Sequence, residues 1–248
     1  MKPYITDPAV SASYPHKYLG IFGMLWVTFL IVATFTATKT FSIGPVVFSV
    51  AILAYPFTYI FADIFTEVYG YRVTRKIVWT GFVCVLIASL VTYLYSIVPP
   101  SDSYTYNEAF RSIFLVSPII AIATMLGFFG GELTNSYILA KLKIFTAGRW
   151  QGVRYIGSTL GGQFVDNTTF FLFAFLAAGV FTVSELLPLV LSSVAFTTIW
   201  ETLILPITYR FIAFLKHAEG LDTYDKGTNF NPFAFRQLSA SNLVLKSD

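Results

Sequence analysis

The chain has 248 residues and a net charge of +3; 56% of its residues are hydrophobic and 12% are charged. Because a soluble domain averages about 25% charged residues, this composition excludes a water-soluble globular protein and predicts an integral membrane protein. The basic residues lie between apolar segments, which argues against a nucleic-acid partner, and the single cysteine, Cys84, excludes an intrachain disulfide. No sequence pattern indicates a metal site or a cofactor.

Six apolar segments follow a polar N-terminal stretch, and each is long enough to cross a bilayer as a helix. The first is about 20 residues long and lacks a small-residue cleavage site, so it is predicted to be a spanning helix rather than a signal peptide. The predicted spans lie near residues 19–38, 45–68, 77–98, 112–140, 159–182 and 186–215. The sequence therefore predicts an all-α integral membrane protein with a six-helix transmembrane domain at 19–215, an irregular N-terminal segment at 1–18 and a soluble tail at 216–248.

Lysine and arginine are distributed unevenly between the two sides of this topology. Of the 16 such residues, only Lys39 and Arg111 lie on the side opposite the termini. Cytoplasmic loops are enriched in positive residues, so both termini, the 69–76 loop and the 141–158 loop are predicted to be cytoplasmic. The acidic 99–111 loop is predicted to face outward.

Two pairs of glycines have the spacing of helix-packing motifs in membrane proteins: Gly127 with Gly131, and Gly157 with Gly161. Small residues four positions apart let two helices approach closely. We interpret both pairs as packing positions. The same surfaces would also permit a homodimer, so the sequence leaves the oligomeric state open.

Five acidic side chains lie inside the predicted spans: Asp63, Glu67, Glu132, Asp166 and Glu201. An isolated charge in hydrocarbon is costly, so each acid needs a partner, a cavity or a proton. At about 1.5 Å per residue, all of them except Glu67 lie about 10–13 Å from the basic ends of their helices and therefore share one layer. A single acid could be a structural group, but four at matched depth indicate a shared polar cavity.

Amide and aromatic residues lie close to these acids in the sequence and suggest what the cavity binds. Carboxylates accept hydrogen bonds, amides both donate and accept them, and aromatic faces stack on planar rings. A planar, neutral or cationic heterocycle with several N–H donors therefore fits. A phosphorylated or carboxylated substrate does not fit, because no arginine or lysine lies in the layer. The candidate binding residues besides the acids are Asn135, Gln163, Asn167, Phe129 and Trp200.

Glu67 lies nearer the cytoplasmic surface than the other acids. It is predicted to pair with Arg72 or Arg75 at the cytoplasmic rim, or to take part with them in coupling. An exposed ion pair of this kind contributes little to stability. No catalytic residues are predicted, since neither His16 nor His217 lies in a span.

Three segments carry motifs that are not generic membrane sequence, including Asp-x-x-x-Glu-Val-Tyr-Gly from Asp63 and Asp-Asn-Thr from Asp166. The segments are PFTYIFADIFTEVYGYRVTRKIVWTGF at 56–82, GFFGGELTNSYILAKLK at 127–143 and RYIGSTLGGQFVDNTTFFLFAF at 154–175. Together they resemble the queuosine precursor transporter family, also called the vitamin uptake transporter family. The resemblance covers nearly the whole membrane core, at about 20–215, and leaves out the N-terminal segment and the tail.

The resemblance implies a small six-helix protein of the bacterial inner membrane, with a fold similar to the substrate-binding subunits of energy-coupling-factor vitamin transporters. It also implies uptake of deazaguanine bases (the cyano- or aminomethyl-deazaguanine precursors of queuosine, or queuine) for tRNA modification. A guanine-like base agrees with the planar, donor-rich ligand inferred from the acids and aromatics, although the residues alone would admit other heterocycles.

Three other functions remain open at this stage. The chain could be the vitamin-binding subunit of an ATP-driven energy-coupling-factor transporter, which would need partner proteins. An intramembrane aspartic protease is disfavoured because its Tyr-Asp and Gly-x-Gly-Asp signatures are absent. A proton or cation channel would conduct without a heterocycle. The energy source is also open between a proton, Na⁺ and trapping by metabolism.

Overall fold

The computed structural model describes residues 4–36, 39–43, 46–114, 118–173 and 183–234. A short antiparallel hairpin of β1 (Thr40–Ile43) and β2 (Val46–Ser49) and a 3-10 turn (Val50–Leu53) lie between the second and third helices. The helices are α1 (Pro8–Ser13), α2 (Leu19–Thr36), α3 (Tyr55–Tyr69), α4 (Tyr71–Ile97), α5 (Asn107–Phe114), α6 (Pro118–Phe145), α7 (Gln151–Phe171) and α8 (Val183–Glu219). The described elements are thus mostly helices, as the sequence predicted, and the hairpin is a departure from the predicted all-α fold.

Among the residues that the structure describes, three helices are long and apolar enough to cross a membrane: α2, α4 and the Val190–Glu219 part of α8. Of the other predicted spans, α6 and α7 are also long, at 28 and 21 residues. α3 has only 15 residues, fewer than the roughly 20 that a full span needs. The span predicted over 45–68 is therefore wrong in its first half, where the chain forms β2 and the 3-10 turn and α3 begins with a proline in its first turn.

The loop predicted at 69–76 is reduced to a single residue, Gly70. Its φ of +87° is a conformation that residues with a side chain rarely adopt, so glycine both ends α3 and begins α4 here. A Cβ at this position would lie 2.6 Å from the Thr223 side chain, which shows how closely the C-terminal part of the chain approaches. Gly70 is therefore a sharp junction rather than a loop.

The core forms where α2, α3, α4 and α6 meet around Trp26. The indole is fully buried and its N–H donates to the Thr58 carbonyl at 3.0 Å, which joins α2 to α3. A Cβ at Gly81 of α4 would lie 2.2 Å from the indole, so only glycine admits the ring there. On α6, the Phe128 ring lies 6.0 Å from the Trp26 ring.

α6 and α7 run antiparallel in close contact, as the glycine spacing predicted. A Cβ at Gly131 would lie 2.8 Å from the Gly162 carbonyl oxygen and 2.6 Å from Asp166 Cβ. A Cβ at Gly161 would lie 2.3 Å from Ile138. The packing role predicted for Gly131 and Gly161 is confirmed, and because both positions pack within the chain they give no support to a dimer.

Both ends of the described chain pack against the end of the molecule where α3, α6 and α8 finish, which we call the basic end. Ile5 pairs with Leu221 in a parallel bridge, and Thr223 donates to the Val68 carbonyl at 2.9 Å. We call residues 220–234 the C-terminal segment. The sequence predicted an irregular N-terminus and a soluble tail, but α1 is a helix capped by Asp7 and the C-terminal segment is packed against the helices.

Candidate functional site

The four acids predicted to share a layer are brought together, one each from α3, α6, α7 and α8. We call Asp63, Glu132, Asp166 and Glu201 the acid cluster; their exposed fractions are 1%, 0%, 9% and 3%. Glu132 lies within electrostatic range of each of the other three, and the carboxyl groups of Asp63 and Glu201 are neighbours. The packing of these four helices therefore places the four carboxyl groups close together, almost closed to solvent.

Two members of the acid cluster have a hydrogen-bond donor from the protein. The Asn135 amide donates to Asp63 Oδ1 at 2.8 Å, and the Tyr59 hydroxyl donates to Asp166 Oδ2 at 2.9 Å. Tyr59 lies one turn before Asp63 on α3, so both point to the same side of that helix. Tyr59 is among the aromatic residues expected from the sequence to line the cavity, but its role as a donor to Asp166 was not predicted, although its spacing of four from Asp63 was a usable signal.

The other two members of the cluster lack donors. Within the described residues, neither carboxylate oxygen of Glu132 or Glu201 has a hydrogen-bond partner in good geometry, and the same is true of Asn135 Oδ1. Asn135 and Ser136 lie near Glu132, and Asp63 and Thr159 lie near Glu201, but none of them makes a hydrogen bond of standard geometry to these carboxylates. Buried acceptors without donors are costly. Two adjacent carboxyl groups can both stay ionised only beside a cation or a ligand that donates hydrogen bonds; otherwise one of them takes up a proton. The cluster is thus equipped to receive hydrogen bonds that the protein does not supply.

The remaining predicted binding residues lie in different surroundings. Gln163 is buried and Asn167 is half-buried. The Asn167 amide donates to the backbone carbonyl of Gln163 at 2.8 Å and to the side-chain oxygen of Gln163 at 3.0 Å. Phe129 packs on α4, with its ring 4.4 Å from that of Trp79. Trp200 is half-buried, and its indole N–H is buried without a partner in the described chain.

Three aromatic rings of the described chain lie beside the acid cluster, and two of them, Tyr55 and Phe128, were not predicted from the sequence. Tyr55 and Tyr59 both lie within electrostatic range of Asp166. The Phe128 ring is 6.1 Å from that of Tyr55 and 6.0 Å from that of Tyr59. Phe128, rather than its neighbour Phe129, is therefore the α6 ring on the same side as the cluster's tyrosines.

Glu67 does not pair with Arg72 or Arg75, and that prediction is wrong. Its carboxylate contacts Arg154 at 2.6 Å and Lys216 at 2.8 Å, with Lys143 at 3.5 Å. Arg75 instead donates to backbone carbonyls of the C-terminal segment. The reason is the Gly70 junction, since α4 carries its basic residues toward that segment while the ends of α6, α7 and α8 surround Glu67.

Comparison with known proteins places the chain among membrane transporters. The profile of a family described as "putative vitamin uptake transporter" matches residues 49–211, which include the whole acid cluster. A protein of Bacillus subtilis (strain 168) named "Probable queuosine precursor transporter" is 27% identical over 164 residues, covering 65% of this chain and 72% of the relative. No solved structure matches the chain. Because the family profile covers more than half of the 248 residues, the chain belongs to this vitamin uptake transporter family.

Proposed function

We propose that the protein imports queuosine precursor bases, cyano- or aminomethyl-deazaguanine with queuine as a further candidate, and that the acid cluster binds them. The observation that carries this proposal is the set of buried carboxylate oxygens on Glu132 and Glu201 that have no donor in the described chain. A guanine-like ring presents an N–H and an amino group side by side, which one carboxylate can accept together. The relative's name as a queuosine precursor transporter supports this substrate class.

Glu132 and Asp166 are the first choices to accept these donors. Glu132 is fully buried with both oxygens free, and Asp166 uses only Oδ2 in its bond from Tyr59. Asp166 Oδ1 lies beside Gly127, where a Cβ would come within 2.7 Å of it, so the glycine keeps that oxygen unobstructed. The other proposed contacts would have to turn toward the base; they are Gln163, Asn167, Phe129 and Trp200.

We place the protein in the bacterial inner membrane with the basic end and both termini in the cytoplasm. The support is the concentration of lysine and arginine at that end, which follows the distribution found in cytoplasmic loops. The acid cluster then lies between the membrane centre and the cytoplasmic face. Its ligand is drawn from outside and released at the basic end.

A second candidate is a vitamin-binding subunit that depends on a separate ATPase, because the family is described by vitamin uptake.

Calorimetric titration of the purified protein with the two deazaguanines, queuine, guanine and adenine tests the substrate class. Guanine-like bases should bind, whereas adenine, which lacks the ring N–H beside an amino group, should not. Binding of none of them would contradict the proposal.

Transport then separates the two candidates. Liposomes containing only this chain should accumulate a radiolabelled deazaguanine. If they bind the base but take it up only when an ATPase module is added, the chain is a binding subunit instead.

A further inference from the structure

Five ionic side chains join the helices at the basic end. We call Glu67, Lys143, Arg154, Lys216 and Asp222 the ion network. Glu67 binds Arg154 and Lys216, and Asp222 accepts from Lys143 and from Lys216, both at 2.8 Å. Glu67, Arg154 and Lys143 are exposed by 2% or less, whereas Lys216 and Asp222 are partly exposed, so the network runs from a buried inner part to the surface.

The ion network is built on the same four helices as the acid cluster. Asp63 and Glu67 lie about one turn apart on α3. On α6 and α8 the network cation follows the cluster acid by about three to four turns, as Lys143 follows Glu132 and Lys216 follows Glu201. On α7 the order is reversed, and Arg154 precedes Asp166 by about three turns. A base that leaves the cluster toward the basic end must therefore pass between four helix ends that these ion pairs hold together.

Asp222 supplies the second anion of the network, which then holds two anions and three cations. Without it, Glu67 would be the single anion among three cations, and Lys143 and Lys216 would repel each other. Asp222 belongs to the C-terminal segment, which is held in place by neighbouring contacts: Ile5 pairs with Leu221, and Thr223 donates to the Ser11 hydroxyl at 2.8 Å. Asp222 and Lys216 both lie outside residues 49–211, the part that matches the family profile.

We propose that the ion network is the inner gate of the substrate path and that Asp222, supplied by the C-terminal segment, holds the gate closed. This proposal rests on the proposed transport of a base through the acid cluster. Opening requires Asp222 to leave Lys143 and Lys216 and the C-terminal segment to move away from the helix ends. The segment is then part of the transport machinery rather than an appended tail.

A reversible cross-link tests whether the segment must move. Ser11→Cys and Thr223→Cys, in a Cys84→Ala background, place two thiols where the hydroxyls are in contact, and a disulfide would fix the segment to α1. With the cross-link confirmed by mass spectrometry, we expect base exchange across liposomes to stop, base binding in detergent to persist, and reductant to restore exchange. Each single-cysteine variant is the matched control.

Exchange at the parent rate in the cross-linked protein would overturn the gate. A parent protein that binds no guanine-like base would instead count against the proposed substrate, so the two failures are distinguishable.

A second variant tests Asp222 directly. Because Asp222 is partly exposed, removing its charge should raise the exchange rate only about two- to tenfold in Asp222→Asn. Asp222→Glu, which keeps the carboxylate, should stay near the parent rate, and Asp102→Asn in the outer loop controls for charge alone. An exchange rate in folded Asp222→Asn equal to that of the parent would contradict the role given to Asp222. If this variant does not fold, the cross-link decides.

Discussion

Replacing Glu132 by Gln should separate ligand binding from stability. Glu132 is fully buried on α6, and neither of its carboxylate oxygens has a donor in the described chain. Gln keeps the size of the side chain but removes the charge, so the ligand-free protein loses the desolvation cost of an unpaired acid. Its melting temperature in detergent should therefore stay the same or rise.

The affinity for the base should fall in the same variant. A hydrogen bond to a charged group is worth about 1.5–3 kcal/mol, and each 1.4 kcal/mol is a tenfold change in Kd. Losing one such bond weakens binding by about 10- to 100-fold. The loss should lie at the upper end of this range, because one oxygen becomes an NH₂ group that faces the N–H donors of the ligand.

Calorimetric titration with a deazaguanine base measures the predicted loss of affinity. Thermal denaturation of the same preparation measures the predicted stability. Glu108→Gln, at an exposed position of α5, is the matched control and should change neither quantity. Unchanged affinity in folded Glu132→Gln would refute the assignment of Glu132 as an acceptor. Lower stability of the ligand-free protein would show that the carboxylate has a structural partner.

Three further predictions concern the surroundings of the cluster and the topology. Tyr59→Phe removes the donor to Asp166 and should lower the free energy of unfolding by about 1–3 kcal/mol, measured by thermal denaturation; an unchanged value would mean that Asp166 finds another donor. Gly131→Leu should abolish monodisperse protein in size-exclusion chromatography, whereas Gly20→Leu should not, because nothing lies within 4 Å of a Cβ there. A reporter at the C-terminus should be cytoplasmic and one in the 99–111 loop external, and the reverse pattern would overturn the proposed orientation.

The acid cluster could be predicted from the sequence because helix geometry fixes depth. The rise per residue is the same in every helix, so distances counted from the basic ends placed four acids in one layer. The sequence could not give their individual contacts, since rotation of each helix about its axis depends on packing. That is why Phe129 was selected although Phe128 lies with the cluster's tyrosines, and why the donor from Tyr59 was missed.

The start of α3 and the partners of Glu67 could not be predicted for different reasons. An apolar run such as 45–68 has the same composition whether it forms a strand or a helix, so hydropathy alone joined β2 to α3. Proximity in sequence predicts Arg72 and Arg75 as the partners of Glu67, but the turn at Gly70 carries α4 away from it. The partners come instead from helix ends that are distant in sequence.

α3 carries one acid of each polar group, the acid cluster and the ion network. Asp63 in the acid cluster and Glu67 in the ion network are about one turn apart on this 15-residue helix, which is followed directly by α4 after Gly70. A displacement of α3 on ligand binding would therefore reach both groups at once, without a relay of intermediate side chains. In the proposed mechanism, binding of the base and opening of the gate would then be coupled through the position of a single helix.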